Sequence, residues 1–345
     1  MGGSISRFIR RREASAVALI FSLLAVFFLS FLTISAMAGT ETGEFCPTCV
    51  DWTNLDGWLA KKDAYERAQL NSQQTAGGTA GQLNGQASNI ATTGKANSQK
   101  KGYAMPELFT SATSIKDDQV ILDVRSGPDY LSGHIPGSRN LYWKDLQKSG
   151  ILDGALTREA LGRAGVNESD RLLVYGDSGE GAAFVFWALG YLGHKNVSLL
   201  DGGADAIQDA AVALTTNAPA PKPTNYTTHI VPWLLVTPDN LESMLELSDV
   251  RVLDARDFFE YGQSRLRKES ICLSQDKLYE DSKIVDAVTL EDLFGRRLEK
   301  SGTAIVYGTP QAYSLFYSLR LMGYNATLLE GDWWKETKWA VSNVK

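Results

Sequence analysis

The residues best able to do covalent chemistry in this chain are its three cysteines, Cys46, Cys49 and Cys272. Cys46 and Cys49 form a Cys-x-x-Cys pair in "CPTC", a spacing that suits a disulfide, a redox dithiol or a persulfide carrier. A dimer-bridging cysteine or half of a metal site would also fit, whereas covalent haem is disfavoured because Val50, not His, follows the pair. The pair therefore predicts either a structural disulfide or a redox or sulfur relay.

Two glycine-bearing loops occupy places where a reactive side chain could be expected. The stretch "VYGDSGEGAAFVFWALGYLGH" at 174–194 is typical of a buried strand, a tight loop and a helix, and "VYGTPQAYSLFYSLRLMGY" repeats the arrangement from residue 306. Gly176 and Gly308 directly follow the two Val-Tyr pairs. Neither loop contains a nucleophile at that point.

The elements around these loops also repeat, at a spacing of about 130 residues. Apolar runs such as "QVILDV", "RLLVYG" and "NVSLLDGG" alternate with helical stretches, and "VRVLDAR", "TAIVYG" and "NATLLEGD" form a second series after the Pro-rich joint "NAPAPKPTN". Strands that alternate with helices predict an α/β fold with a parallel sheet covered by helices on both faces. The constant spacing predicts two copies of one module.

The N-terminal region predicts targeting to a membrane. A charge-free run from Ala14 to Thr40 follows the basic stretch "SRFIRRREA" and is long enough to span a hydrocarbon core of roughly 30 Å. Its basic flank should stay cytoplasmic, which places the rest of the chain outside the cytoplasm. Because "SAMAG" also fits cleavage after Ala38, two alternatives stay open: a membrane-anchored protein, or a secreted or periplasmic one.

A stretch rich in Gly, Ser, Thr, Asn and Gln then predicts a flexible stalk before the folded part. The expected organisation is a signal peptide or transmembrane helix at 1–40, the Cys-x-x-Cys segment and stalk at 41–104, a first domain at 105–213, a linker at 214–236 and a second domain at 237–345.

The run "LDVRSGPDYLSGHIPGSRNL", followed by "LLVYGDSGEGAAFVFWALGYLGHKNVSLLDGG", resembles a rhodanese domain, and the pair of modules resembles the tandem thiosulfate sulfurtransferases. The first module shows the family's Asp-x-Arg at Asp123 and Arg125 and its "GHIPGS" run with His134. The second keeps Asp254 and Arg256 in "LDAR" but has "SRLRKESICL" where Gly-His-Ile-Pro-Gly should stand. The resemblance implies two tandem rhodanese-like domains, the second degenerate.

The resemblance also says what the two loops are for. In active rhodaneses a cysteine follows the strand, and the loop N–H groups with the helix N-terminus lower its pKa and hold the persulfide anion. Those positions are Gly176 and Gly308 here, so neither can carry the intermediate. Pro310 removes an amide donor from the second loop, and Asp177 and Glu180 in the first would repel an anionic substrate.

An intact family signature without its nucleophile predicts a binding or assembly module that has lost sulfur transfer. Its partner would be a protein or a small sulfur-containing ligand, with the membrane contacted through the N-terminal segment. The alternative is a sulfurtransferase or sulfur relay of the rhodanese type that uses Cys46 and Cys49. The candidate ligand-binding residues are those of the first loop, Asp177, Ser178, Gly179, Glu180, Gly181 and Ala182.

The other marked residues are expected to be structural. The Asp-x-Arg pairs should tie the following loops to their sheets, and His134 should pack in its turn. Cys272, opposite Leu141 in an ungapped alignment of the modules, should be a small buried apolar residue. The chain's His residues lack metal-ligand spacing and no Walker loop is present, so no metal or cofactor is expected. A net charge of -6 with a pI of about 5.3 argues against nucleic acid as a partner.

Overall fold

The computed structural model of the protein describes residues 102–177 and 179–342. The expected anchor or signal, the Cys46 and Cys49 pair, nearly all of the stalk, and Ser178 lie outside these residues. Within the described ranges, no helix has the length and apolar character needed to cross a bilayer.

The first half of the described chain is built around a five-stranded sheet in which every neighbouring pair of strands is parallel, in the order β1 (Phe109–Thr110), β7 (Val197–Leu200), β6 (Arg171–Tyr175), β2 (Gln119–Asp123) and β3 (Arg139–Asn140). Its central strands are runs of Val, Ile and Leu that are almost wholly buried, as expected for a sheet covered on both faces. The elements are β1 (Phe109–Thr110), β2 (Gln119–Asp123), α1 (Gly127–Ser132), β3 (Arg139–Asn140), β4 (Gln147–Lys148), β5 (Ile151–Leu152), α2 (Gly154–Arg163), β6 (Arg171–Tyr175), α3 (Gly179–Tyr191), β7 (Val197–Leu200) and α4 (Gly203–Asp209).

The second half has a second five-stranded parallel sheet, in the order β8-β15-β14-β9-β11. Each strand holds the place of its counterpart in the first sheet, which agrees with the repeat in the sequence. The elements are β8 (Leu235–Val236), α5 (Pro238–Leu245), β9 (Val250–Asp254), α6 (Phe258–Gln263), β10 (Ser264–Arg265), β11 (Ile271–Cys272), β12 (Tyr279–Glu280), β13 (Lys283–Ile284), α7 (Ala287–Gly295), β14 (Thr303–Tyr307), α8 (Gln311–Leu321), β15 (Asn325–Leu329) and β16 (Val341–Ser342).

The two helices that follow the glycine-bearing loops, α3 and α8, pack against each other. Phe186 contacts Tyr317 with ring centroids 5.1 Å apart, and Phe184 contacts Tyr313 at 5.0 Å. Every residue of α3 from Gly181 to Gly190 is buried. A helix that is apolar on all sides is stable only when it is enclosed, and α3 is enclosed by its own sheet and by α8.

The strand register corrects one detail of the sequence alignment. Cys272 in β11 pairs with Asp254, whereas the residue that pairs with the corresponding Asp123 is Asn140 in β3. The second half has one more residue between strand end and edge strand, 18 from Asp254 to Cys272 against 17 from Asp123 to Asn140. The counterpart of Cys272 is therefore Asn140 and not Leu141.

Candidate functional site

The Asp-x-Arg pair of the first half lies at the end of β2, directly beside the first loop. Asp123 is fully buried and accepts hydrogen bonds from Arg125 Nε at 3.0 Å and Arg125 Nη2 at 2.6 Å. Tyr175 Oη, from the residue before Gly176, donates to the same carboxylate at 2.5 Å. Arg125 Nη2 also donates to Gly133 O at 2.7 Å. The pair thus links β2, the end of β6 and the turn that begins at Gly133.

His134 is buried within that turn and away from the loop. Its ring stacks on Tyr130 with centroids 3.7 Å apart, and its Nδ1 lies 2.8 Å from Tyr130 O. Its backbone exchanges hydrogen bonds with Thr215 in the segment between the halves. The structure therefore gives His134 packing and backbone partners that anchor the linker.

The second half repeats the same constellation. Asp254 accepts from Arg256 Nε at 2.9 Å and Nη2 at 2.6 Å, and Arg256 Nη2 donates to Ser264 O at 2.6 Å. One contact is new: the guanidinium of Arg256 lies 5.1 Å from the ring centroid of Trp334, which packs edge-on against Tyr307 at 4.9 Å. Trp334 is fully buried in the turn after β15, so it covers the Asp254–Arg256 pair from that side.

Gly308, which the resemblance places at the nucleophile position of the second half, has little room for a side chain. Its φ is +91°, in the left-handed region that L residues rarely adopt. A Cβ there would lie 2.6 Å from Arg256 Cγ. The backbone of the loop is also engaged, since Ala312 N donates to Gly308 O at 3.0 Å. Glycine at this position is required by the Arg256 contact and by the backbone.

Gly176, which the resemblance places at the nucleophile position of the first half, is buried under a glycine from the start of α4. Its carbonyl accepts from Ala204 N at 2.9 Å, and a Cβ on Gly203 would lie 2.2 Å from that oxygen. The cavity beside Gly176 has a volume of about 30 Å³ and is bordered by Tyr279 and Tyr317 of the second half. That volume suits one water molecule.

A hairpin from the second half, β12–β13, covers the first loop. A Cβ on Gly179 would lie 2.9 Å from the ring of Tyr279. Ile284 N donates to Asp201 Oδ1 at 2.8 Å, so the hairpin is bonded to the end of β7. The β4–β5 hairpin of the first half contacts the second half in a similar way, because Leu152 N in β5 donates to Glu330 Oε1 at 2.9 Å. The two hairpins dock reciprocally, each beside the other half's loop.

The sequence did not single out these hairpins, although a signal for them was present. Both turns are two residues long and lie in the left-handed region, at Ser149 and Gly150 and at Asp281 and Ser282. Ser-Gly and Asp-Ser are residue types that favour such turns. What no local pattern contains is the surface of the other half on which each hairpin docks.

The predicted ligand-binding residues of the first loop are not equally accessible. The side chain of Asp177 is 62% exposed and its Oδ1 lies 3.9 Å from Arg125 Nε. Glu180 is half-buried, while Gly181 and Ala182 are buried in α3 with Trp143 packed against Gly181. Among the described residues of this loop, Asp177 and Glu180 therefore provide the side chains that a ligand can reach.

The charge around Asp177 disfavours a further anion. Partial burial raises the pKa of Asp177 above its usual value, and the nearby carboxylates of Asp129 and Asp205 raise it further, although Arg125 acts in the opposite direction. The desolvation acts on Asp177 alone, whereas the charges of Asp129 and Asp205 would also repel an approaching anion. A sulfur oxyanion approaching Gly176 would meet the same repulsion.

Cys272, the one cysteine within the described residues, lies at the same sheet edge as the second loop. It is half-buried, and its Sγ donates weakly to Arg256 O at 3.6 Å. Its counterpart Asn140 donates from Nδ2 to Arg125 O at 2.9 Å. Burial raises the pKa of the Cys272 thiol and the charge of Asp254 adds to the rise. The thiol thus takes the structural place of an amide and is poorly suited to ionise.

The part of the chain described by the structure contains no cluster of side chains that could bind a metal ion. Within residues 102–177 and 179–342, no three His, Cys, Asp or Glu side chains lie close enough together to hold an ion.

Comparison with known proteins assigns the first half to a family. Residues 110–210 match the rhodanese-like domain. The chain is 34% identical over 156 residues to a thiosulfate sulfurtransferase of Pseudomonas aeruginosa, covering 43% of this chain and 57% of that protein. It is 30% identical over 136 residues to the sulfur carrier protein TtuD of Thermus thermophilus, covering 36% of this chain and 48% of that protein. The chain therefore spans about half the length of these curated relatives.

Solved structures extend the likeness in fold beyond the first half. The 3-mercaptopyruvate sulfurtransferase SseA of Escherichia coli aligns with a TM-score of 0.59 at 21% identity, over 66% of this chain and 98% of that one. The anaerobic ergothioneine biosynthesis enzyme of Chlorobium limicola aligns with a TM-score of 0.60 at 18% identity, over 67% of this chain and 68% of that one. At these identities the likeness shows the fold alone.

Proposed function

This chain belongs to the rhodanese and sulfurtransferase family through its rhodanese-like domain at residues 110–210, and from that premise we propose that it is a membrane-tethered binding or assembly module without sulfur transfer at its two loops. Persulfide chemistry needs a thiolate in a loop that stabilises it. Gly176 and Gly308 supply no thiol for this chemistry, so the two loops would serve in binding instead.

The observation that supports the proposal most strongly is the geometry at Gly308. A residue with a side chain would be strained at a φ of +91° and would contact Arg256 Cγ at 2.6 Å. The arginine that excludes the side chain is held by Asp254 in a buried ion pair. The second loop is thus adapted to glycine, and its loss of a nucleophile is built into the surrounding packing.

The first loop supports the proposal by different means. Its cavity of about 30 Å³ is far too small for thiosulfate, and Tyr279 forms part of its wall. Asp177 and Glu180 set a negative charge at its exposed edge. A neutral or cationic group of a protein partner suits this edge better than an anionic sulfur donor does.

The tether and the extracytoplasmic location are the parts of the proposal that rest on the N-terminal sequence. The charge-free run at 14–40 and the polar stalk would hold the two sheets away from a membrane surface. A module of this kind would meet its partner at the first loop while the second half packs against it.

A sulfurtransferase assay on the full chain tests the proposal. The chain is incubated with thiosulfate and cyanide, and thiocyanate is measured for the wild type and for Cys46→Ser, Cys49→Ser and Cys272→Ser. We expect no turnover in any of them. Thiocyanate formation that is lost in Cys46→Ser or Cys49→Ser would overturn the proposal in favour of the sulfur relay, and loss in Cys272→Ser alone would show that the thiol near the second loop is the nucleophile.

A further inference from the structure

A second cavity lies in the first half, at the edge of the sheet and apart from both glycine-bearing loops. It has a volume of about 400 Å³, within the range of sites that hold small molecules. Its walls are the edge strand β3 with the residues that follow it, helix α2, and the Pro-rich segment around Pro219 and Pro221. No role in the proposed function draws on this cavity.

One wall of the cavity contains an arginine nitrogen without a partner. Arg139 Nη1 is shut off from solvent and has no hydrogen-bond partner among the described residues. It lies in a tight region, since a Cβ on Gly165 would come within 3.6 Å of it and within 2.9 Å of Pro221 Cβ. A buried cationic donor without an acceptor is costly, and such groups are normally paired. Because Nη1 itself is closed to the cavity, an anion would pair with the guanidinium through the part of Arg139 that lines the cavity.

The rest of the lining combines apolar side chains with the polar residues Tyr130, Asn140 and Tyr142 and two further charges. Leu141 is buried, and Leu156 is 42% exposed on the α2 side of the cavity. Arg163 adds a second cation, although it is exposed and already paired with Glu159 on α2. Asp145 is the opposing charge in the wall, and it is exposed to water, which screens it. Arg139 is half-buried, so water screens its charge less than it screens the exposed Arg163 and Asp145.

We propose that this cavity binds a small organic carboxylate with an apolar body. The carboxylate would accept hydrogen bonds from the guanidinium of Arg139, a planar donor group that matches its two oxygens. The apolar body would lie against Leu141, Leu156 and the prolines of the joint. This inference goes beyond the proposed function and stands whether or not the two loops transfer sulfur.

The second half offers a natural contrast. The register places Ile271 in β11 opposite Leu253, as Arg139 in β3 lies opposite Leu122. An isoleucine provides no donor for a carboxylate. A ligand of this class should therefore bind once to the chain, at the first half.

Calorimetric titration of the full chain tests the site with 3-phenylpropionate as the probe. Its amide, 3-phenylpropanamide, has the same apolar body without the charge, and inorganic sulfate has the charge without the apolar body. We expect one equivalent of the acid to bind at least about tenfold more tightly than either of the others. Equal binding of the amide, tighter binding of sulfate or no binding of the acid would overturn the proposal.

Three variants connect the binding to this cavity. Arg139→Gln should lower the affinity for 3-phenylpropionate by at least about tenfold. The control is Arg171→Gln, which changes an exposed arginine that pairs with Asp118 elsewhere in the same half, and it should leave that affinity unchanged. Ala160→Trp fills the cavity from α2 without altering Arg139, so it should abolish binding even if Arg139→Gln fails to fold. Undiminished binding in a folded Arg139→Gln or Ala160→Trp would contradict the assignment.

Discussion

The two glycine-bearing loops have Gly176 and Gly308 in the same place, yet different parts of the structure pack against these two glycines. The side chains near Gly308 belong to the same half: Arg256 lies against the glycine, and Trp334 packs on the arginine. Near Gly176 a side chain comes from the other half, since Tyr279 on the β12–β13 hairpin borders a cavity of about 30 Å³. The first loop is closed by docking and the second by its own packing.

This difference separates what the fold needs from what the chemistry needs. The buried Asp-Arg pair is kept in both halves with nearly the same distances, because it ties strand ends to the following turns. Glycine stands in both at the position where the resemblance implies a nucleophile. The signature residues that the two halves share are therefore those that hold the sheet edge together.

Replacing Trp334 should give the largest loss of stability. Trp334→Ala removes a fully buried ring from Tyr307 and Arg256 and should cost about 3–5 kcal/mol. Asp205 stands at the matching position after Gly202 and is exposed, so Asp205→Ala should change stability by less than about 0.5 kcal/mol. Urea unfolding of both variants measures the contrast, and equal losses would show that the two loops are closed alike.

A side chain at Gly308 should be the next most damaging change. Gly308→Ala adds contact with Arg256 to the strain of a left-handed residue, whereas Gly137→Ala has a similar φ of +82° and open space around the new Cβ. The two variants share the backbone strain, so Gly308→Ala should lose about 1–3 kcal/mol more than the control in urea unfolding. A difference near zero would mean that Arg256 moves aside freely.

The counterparts at the edge strands should differ by a smaller amount. Asn140→Ala removes two donors, to Asp123 O and Arg125 O, and should cost about 1–2 kcal/mol. Cys272→Ala removes only a weak thiol contact to Arg256 O and should cost about 0.5–1 kcal/mol. If Cys272→Ala is the more harmful of the two in equilibrium unfolding, the thiol has a role that its contacts do not explain.

The smallest effect concerns pH and the contact of the first half's hairpin with Glu330. Burial raises the pKa of Glu330, although hydrogen bonds from Tyr313 and Leu152 oppose the rise. An acid with a raised pKa in the folded state favours its protonated form, so its contribution to stability falls as pH rises from about 4.5 through the raised value. Glu330→Gln cannot ionise and should lose less stability than the wild type across that window.

The difference between wild type and Glu330→Gln, measured by urea unfolding at a series of pH values, isolates this group from other carboxyls. The free energy of unfolding of Glu330→Gln should rise relative to that of the wild type as pH increases. A difference that is constant with pH would mean that Glu330 has the same pKa folded and unfolded.

The sequence was a good guide to the parts of this fold that depend on local pattern. The Val-Tyr-Gly runs predicted a strand, a loop and a helix at both places, and the α/β alternation predicted the parallel sheets. The one-residue error at Cys272 arose because an ungapped alignment cannot place an insertion that only the strand register reveals. The burial of Gly181 depends on Trp143 and the covering of the first loop depends on Tyr279, and neither distant contact had a local signal.

The central claim is that no thiol at or beside the two loops carries a sulfur intermediate, and persulfide mapping tests it most directly. The full chain is treated with thiosulfate labelled at the outer sulfur, alkylated and digested, and each cysteine-containing peptide is weighed by mass spectrometry. The account predicts an unlabelled Cys272, since its thiol has a raised pKa and replaces a structural amide. A labelled persulfide on Cys272 would contradict it.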